Sequence, residues 1–272
     1  MILLCNGDSW TQGDAPSQTP NWEATKTLDW YDVIPKFGDN KSKGRSILYK
    51  FYDSPVWPRV LGEKLGWETW NAGRLGTSND NIFRTTINSI DYLEKLGKKD
   101  IFVVIAFTSL IRYEIFQPYV KKKSIYECKW DTQIPSQRSR GHGKDIFQSR
   151  DVWPEHLSPR DIEEIYNILI QRMVMLIINF QNYLKMKNIP YLFFNAFDNV
   201  EADLKTSTLF KYIDLNNFYN NNLVSHFKTY IEDNYNTDWW QNDDYFIGSH
   251  PTDKSHIIWG NQLYKYMVDN IL

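Results

Sequence analysis

The chain has 272 residues, with 31 Lys+Arg against 33 Asp+Glu, a formal net charge of −2 and a pI near 6.2. That balance gives neither the basic footprint of a nucleic-acid binder nor the excess charge of a disordered chain. The 42% hydrophobic content is enough for a large core, and 13 Gly and 11 Pro exclude collagen-like and low-complexity classes.

Ile2 to Cys5 is a short apolar run ending in Asn6-Gly7-Asp8, which predicts a strand and a sharp turn. Cys5 reads as a small buried hydrophobe. With Cys128 as the only other cysteine, neither a disulfide scaffold nor a Cys-based zinc site is available. From Thr11 to Pro55 the chain is polar and turn-rich. Trp57 to Gly66 has Val60, Leu61 and Leu65 at helical spacing, Pro58 near its start and Gly66 at its end. Trp67 to Trp70 is a candidate strand. Asn79 to Leu96 carries Ile82, Ile87, Ile90 and Leu93 on one helical face. Ile101 to Phe107 predicts a strand buried on both faces.

Glu114 to Pro159 reads as an excursion holding short elements of its own. Ser158 as N-cap, Pro159 at the first helical position and the early acids Asp161, Glu163 and Glu164 predict a long helix to about Lys187. Ile189 to Asn195 is the next buried strand. A helical stretch follows near Asn222 to Ile231, and a last helix runs from about Lys254 to Ile271. Strands alternating with helices predict an α/β fold with a parallel sheet. One domain over residues 1–272 with two excursions, about 11–55 and 114–159, accounts for the length. The longest apolar run is far too short to span a bilayer. The N-terminus has no basic n-region or cleavage site, so a cleaved signal is not expected. A cytoplasmic protein, or one released by another route, follows from that reading.

Four segments carry candidate chemistry. Gly7-Asp8-Ser9-Trp10 follows the first strand, where open α/β sheets place their sites. Asn71 to Ser78 is a glycine-containing strand-to-helix turn, suited to presenting backbone N–H groups to an oxyanion. It has neither the P-loop Gly-Lys-Ser/Thr nor the dinucleotide spacing, which argues against a nucleotide-binding protein. Thr108 and Ser109 end the strongest strand and bring hydroxyl donors, and Arg112 is spaced to pair with Glu114. Ser249 to His256 holds two of the five histidines, and histidine is the usual base for a serine nucleophile.

Together these segments resemble the SGNH hydrolase (GDSL-like esterase/lipase) superfamily, in an order that covers essentially the whole chain. The resemblance implies a three-layer α/β/α sandwich with a central parallel, flavodoxin-like sheet. It makes Ser9 the nucleophile, Gly76 the second-block glycine of the oxyanion hole and His250 the base, with His256 the less favoured choice. The backbone N–H groups of Ser9 and Gly76 would hold the oxyanion, helped by Thr108. Two departures stand out. Thr108 occupies the place of the family's third-block Asn, and Ile247 occupies that of the acid before the histidine. Asp243 or Asp244 would supply the acid, or a Ser–His dyad would work without one.

The implied activity is hydrolysis of carboxylic esters through an acyl-enzyme, with no metal or organic cofactor. Carbohydrate O-acetyl esters are the first substrate expected by resemblance, then short-chain lipid or aryl esters, with thioesters also admitted. Asp8, Trp10, Arg112 and one of Trp239 and Trp240 are candidate substrate contacts, although most of the aromatic residues should be core. The other class of function compatible with the departures is an inactive SGNH-type protein that binds a glycan or a protein.

Overall fold

Ile2–Asn6 forms strand β1, and all of its residues are buried. A computed structural model describes residues 1–13, 55–74, 76–118, 128–133, 158–196, 199–224, 226–239, 243–247 and 250–272. β1 is flanked on one side by β2 (Glu68–Asn71) and on the other by β3 (Ile101–Phe107), and β6 (Tyr191–Asn195) pairs with the far side of β3. The order is β2-β1-β3-β6 and every pairing is parallel. The chain moves outward from β1 to β2, then crosses back to β3. The carboxyl ends of β1 and β3 therefore flank the point where the order reverses, the place where such sheets hold ligands.

The strands are apolar on both faces because helices cover both. Ile2, Leu4, Val103, Ile105, Phe107 and Phe193 face α3 (Asn79–Lys95) and α4 (Pro159–Met186), with the short α5 (Glu201–Leu204) packed beside α4. Leu3, Cys5, Phe102, Val104, Ala106, Leu192 and Phe194 face a layer of three helices, α2 (Trp57–Leu65), α6 (Phe227–Tyr235) and α7 (Asp253–Asn270). This is the expected three-layer α/β/α arrangement. Burial of each such side chain contributes roughly 1.5–3 kcal/mol. Burial also pushes the Cys5 thiol well above its ordinary pKa, so it packs as a hydrophobe.

Local signals place the helix ends. The Ser158 hydroxyl accepts from Asp161 N–H while the Asp161 carboxylate accepts from Ser158 N–H, a closed capping box at the start of α4. Ser78 caps α3 in the same direction, accepting from Asn81 N–H. The expected helix at Asn222 to Ile231 is displaced to Phe227–Tyr235. Asn220 and Asn221 take left-handed conformations (φ 53° and 55°), and the Asn222 side chain bonds His226 Nε2 at 2.7 Å. These asparagines satisfy local turns in place of helical hydrogen bonds. Within the expected 114–159 excursion, β4 (Tyr113–Pro118) and β5 (Cys128–Gln133) form an antiparallel hairpin. Residues 134–157, and nearly all of the 11–55 excursion, lie outside the described residues. Among the described residues no helix is long and apolar enough to cross a membrane.

Candidate active site

After β1 the chain turns at Gly7 and enters α1 (Ser9–Gln12), a single helical turn whose first residue is Ser9. A Cβ on Gly7 would lie 2.1 Å from Thr11 Oγ1 and 2.9 Å from Thr11 Cβ, so a larger residue would have to push α1 away from β1. Asp8 is the N-cap: its Oδ1 accepts from Trp10 N–H at 3.0 Å. The first N–H groups of a helix have no carbonyl behind them, and that of Ser9 is the foremost in α1.

The loop after β2 lies against this turn. Arg74 N–H donates to the Gly7 carbonyl at 3.0 Å, and Asn71 Nδ2 donates to the Thr11 carbonyl at 2.9 Å. The approach is so close that a Cβ on Gly73 would meet Gln12 N at 2.7 Å. Gly76, in the same loop, has φ 67°. On the other side stands the end of β3. The Thr108 hydroxyl donates to Asp8 Oδ2 at 2.8 Å, and Arg112 Nη1 reaches both Asp8 Oδ2 and Thr108 Oγ1 at 2.8 Å.

The histidine comes from the opposite end of the chain. Phe246–Ile247 (β7) and His250–Pro251 (β8) form a minimal antiparallel hairpin before α7, with Ile247 opposite His250. It brings His250 Nε2 to 3.1 Å from Ser9 Oγ. The two residues are 241 positions apart and meet beyond the carboxyl end of β1, inside the sheet order. In this geometry the imidazole can accept the serine proton directly.

His256 is elsewhere. It is buried in the first turn of α7, and its Nδ1 accepts from Trp57 N–H at 3.4 Å. That contact puts the ring proton on Nε2, which has no partner among the described residues. Burial, with His250 adding in the same direction, pulls its pKa down to about 3. It is a neutral core histidine that braces the start of α2. His226 has the same character: Nδ1 accepts from Asn195 N–H at 3.2 Å, and burial lowers its pKa to about 4.

Several expected roles change. The Thr108 hydroxyl is spent on Asp8, so it does not point into an oxyanion hole. The side chain of Glu114, the partner expected for Arg112 from sequence, lies outside the described residues; Arg112 forms an ion pair with Asp8, which is fully buried. Neither residue therefore stands as an open substrate contact. Trp10 is only 2% exposed, packed edge-on to Phe227 and Trp239 and tilted against Phe246. It belongs to the core. Trp239 is half-buried with Lys228 Nζ 4.9 Å above its ring, and Trp240 lies outside the described residues.

The two candidate acids serve the turn that leads to the histidine. Asp243 Oδ1 accepts from Tyr245 N–H at 2.7 Å and Phe246 N–H at 2.9 Å, and Oδ2 accepts from the Thr237 hydroxyl. Burial opposes ionisation of Asp243, but the hydrogen bonds from Thr237, Phe246 and Tyr245 outweigh it and hold its carboxyl below the usual value. Asp244 is 80% exposed and pairs with Lys254 at 3.1 Å. The Asp243 carboxylate thus shapes the approach to β7, while that of Asp244 makes a surface pair with the start of α7.

Two asparagines escaped the sequence reading. Asn6 Nδ2 donates to the Ile82 carbonyl at 3.0 Å and its Oδ1 accepts from Gly7 N–H at 2.8 Å, tying the serine turn to α3. Asn79 Oδ1 accepts from Thr108 N–H at 2.9 Å and Nδ2 donates to the Thr108 carbonyl at 3.0 Å. The available signal was position: a buried polar residue at a strand end or helix start needs a partner across the fold.

Among the described residues no group of three His, Cys, Asp or Glu side chains is placed to hold a metal ion. No curated protein matches the chain. A family model matches residues 37–272, a span that includes Gly76, Thr108, Arg112 and His250 and begins after Ser9. The chain belongs to the family of unknown function DUF6071.

Proposed function

We propose that the chain is a serine esterase of the SGNH type, with Ser9 as nucleophile and His250 as general base. The observation that carries this reading is the 3.1 Å contact between Ser9 Oγ and His250 Nε2 at the switch point of a parallel sheet. His250 Nε2 takes the Ser9 proton as Oγ bonds to the ester carbonyl carbon. The carbonyl oxygen becomes an oxyanion, held by the backbone N–H groups of Ser9 and Gly76. As the tetrahedral intermediate collapses, the carbon–alkoxy bond breaks and the imidazolium gives its proton to the leaving alcohol. Water then attacks the acyl carbon, passing a proton to His250. The carboxylic acid leaves as Ser9 Oγ recovers that proton.

The test is hydrolysis of p-nitrophenyl acetate together with covalent labelling by a fluorophosphonate. Wild-type protein should hydrolyse the ester and carry the label on Ser9, and Ser9→Ala should lose both while keeping its thermal transition. Wild-type turnover in that variant would overturn the reading. Carbohydrate O-acetyl esters are the first natural substrates to try. A second reading, an inactive member that binds a glycan or protein, draws on the engagement of Thr108, Asp243 and Asp244 in structural contacts. It predicts a folded wild-type chain that takes no label.

A further inference from the structure

Asp8 immediately precedes Ser9, and its side chain is fully buried. A buried carboxylate is unfavourable unless its charge and lone pairs are matched. Here the two oxygens divide the work. Oδ1 caps the helical turn that Ser9 opens, and Oδ2 accepts from the Thr108 hydroxyl and from Arg112 Nη1. The same Nη1 reaches Thr108 Oγ1, which closes a triangle of contacts each 2.8 Å long. The Arg112 side chain is itself only 19% exposed, so its charge acts in a poorly screened environment.

Two consequences follow, one geometric and one electrostatic. The triangle fastens the serine turn to the segment that leaves β3, through an arginine 104 positions away. It also neutralises a negative charge one residue from the serine, where the proposed reaction develops an oxyanion. An unpaired carboxylate there would raise the barrier by like-charge repulsion.

We infer that Arg112 is a positioning residue for Ser9, acting through the buried charge of Asp8 and not through the substrate. The inference rests on the esterase reading. It assigns both residues a role in the acylation step in place of the substrate contacts expected from sequence.

The experiment is a double-mutant cycle in the full chain: wild type, Arg112→Met, Asp8→Asn and the double variant. The Asp8→Asn substitution keeps an acceptor for Trp10 N–H while removing the charge. The readouts are the second-order rate of Ser9 labelling by a fluorophosphonate, in which the Oγ–P bond forms as fluoride leaves, and kcat and KM for p-nitrophenyl acetate. Arg112→Met should lower the labelling rate and kcat by about 100-fold, the scale of a misplaced reacting group, with KM changed by less than about threefold. Adding Asp8→Asn should restore the rate by about 10-fold, because the offending charge is gone. A rate in Arg112→Met within about threefold of wild type, or a double variant no faster than Arg112→Met, overturns the assignment.

If Arg112→Met fails to fold, Asp8→Asn and the double variant decide the matter. Arg112 acting through the Asp8 charge requires them to react at equal rates, and a further tenfold loss in the double variant overturns it. Failure of wild type to label at Ser9 strikes the esterase reading itself. Labelled wild type without coupling between positions 8 and 112 strikes only the role of Arg112.

Discussion

His250 and His256 stand at either side of the same helix start, yet their surroundings are opposite. His250 sits on a two-residue strand, partly open, with Nε2 on Ser9 Oγ. His256 is 1% exposed and has its Nδ1 turned to the backbone of α2. The first is partly exposed and lies against a serine hydroxyl. Desolvation keeps the second neutral, because an imidazolium there would be charged in an apolar environment. Histidines close in sequence can thus stand in opposite surroundings, one against a serine hydroxyl and one packed inside the core.

The largest expected effect tests the partner of His250. Ser9→Ala should lower ester turnover on the order of 10⁴-fold or more, read as kcat/KM with p-nitrophenyl acetate, while circular dichroism and the thermal transition stay at wild type.

The next isolates the buried histidines. The pKa of His256 is lowered to about 3 and that of His226 to about 4, against about 6.5 in the unfolded chain. The folded state therefore binds fewer protons than the unfolded state between those values. Stability from these groups is fully present above pH 6.5 and is lost as pH falls toward 4. Urea denaturation should give an unfolding free energy about 4–5 kcal/mol lower at pH 4.5 than at pH 7 from these two groups together. A flat profile over that range would remove the contrast between His256 and His250.

Direct substitution sharpens the same contrast. His250→Ala should reduce turnover by about 10³-fold with a small change in stability, as for loss of a general base. His256→Ala should do the reverse, lowering stability by about 2–3 kcal/mol while keeping Ser9 reactive toward a fluorophosphonate. The smallest effect concerns the turn before β7. Asp243→Ala removes the acceptor of two backbone N–H groups and the Thr237 hydroxyl, and should lower stability by about 1–2 kcal/mol by chemical denaturation. Asp244→Ala, at an exposed ion pair, should change it by less than about 0.5 kcal/mol.

Much of the frame was legible in the residues. The buried strand Ile101–Phe107 is placed as read, because an apolar run of that length between a helix stop and a polar turn has few alternatives. The long helix starts at Pro159 because Ser158 and Asp161 satisfy each other locally. Where local rules compete the reading slipped, as at Asn220 to Asn222, whose side chains replace helical bonds with turns.

Individual roles at the site were less legible. Thr108 reads as a hydroxyl donor from any sequence view, and only packing reveals that Asp8 accepts its hydrogen bond. Trp10 beside Ser9 looks like a cleft wall until Phe227, Trp239 and Phe246 close around it.

The composition and spacing of this chain by themselves determine a layered α/β core, its strand and helix periods, and a serine turn at the end of the first strand. Those features follow from hydrophobic periodicity and caps, which act over a few residues. The tertiary structure alone decides that His250 rather than His256 meets Ser9, and that Arg112 neutralises Asp8. Those are contacts between residues 241 and 104 positions apart, set by parallel register and by which groups lose their water.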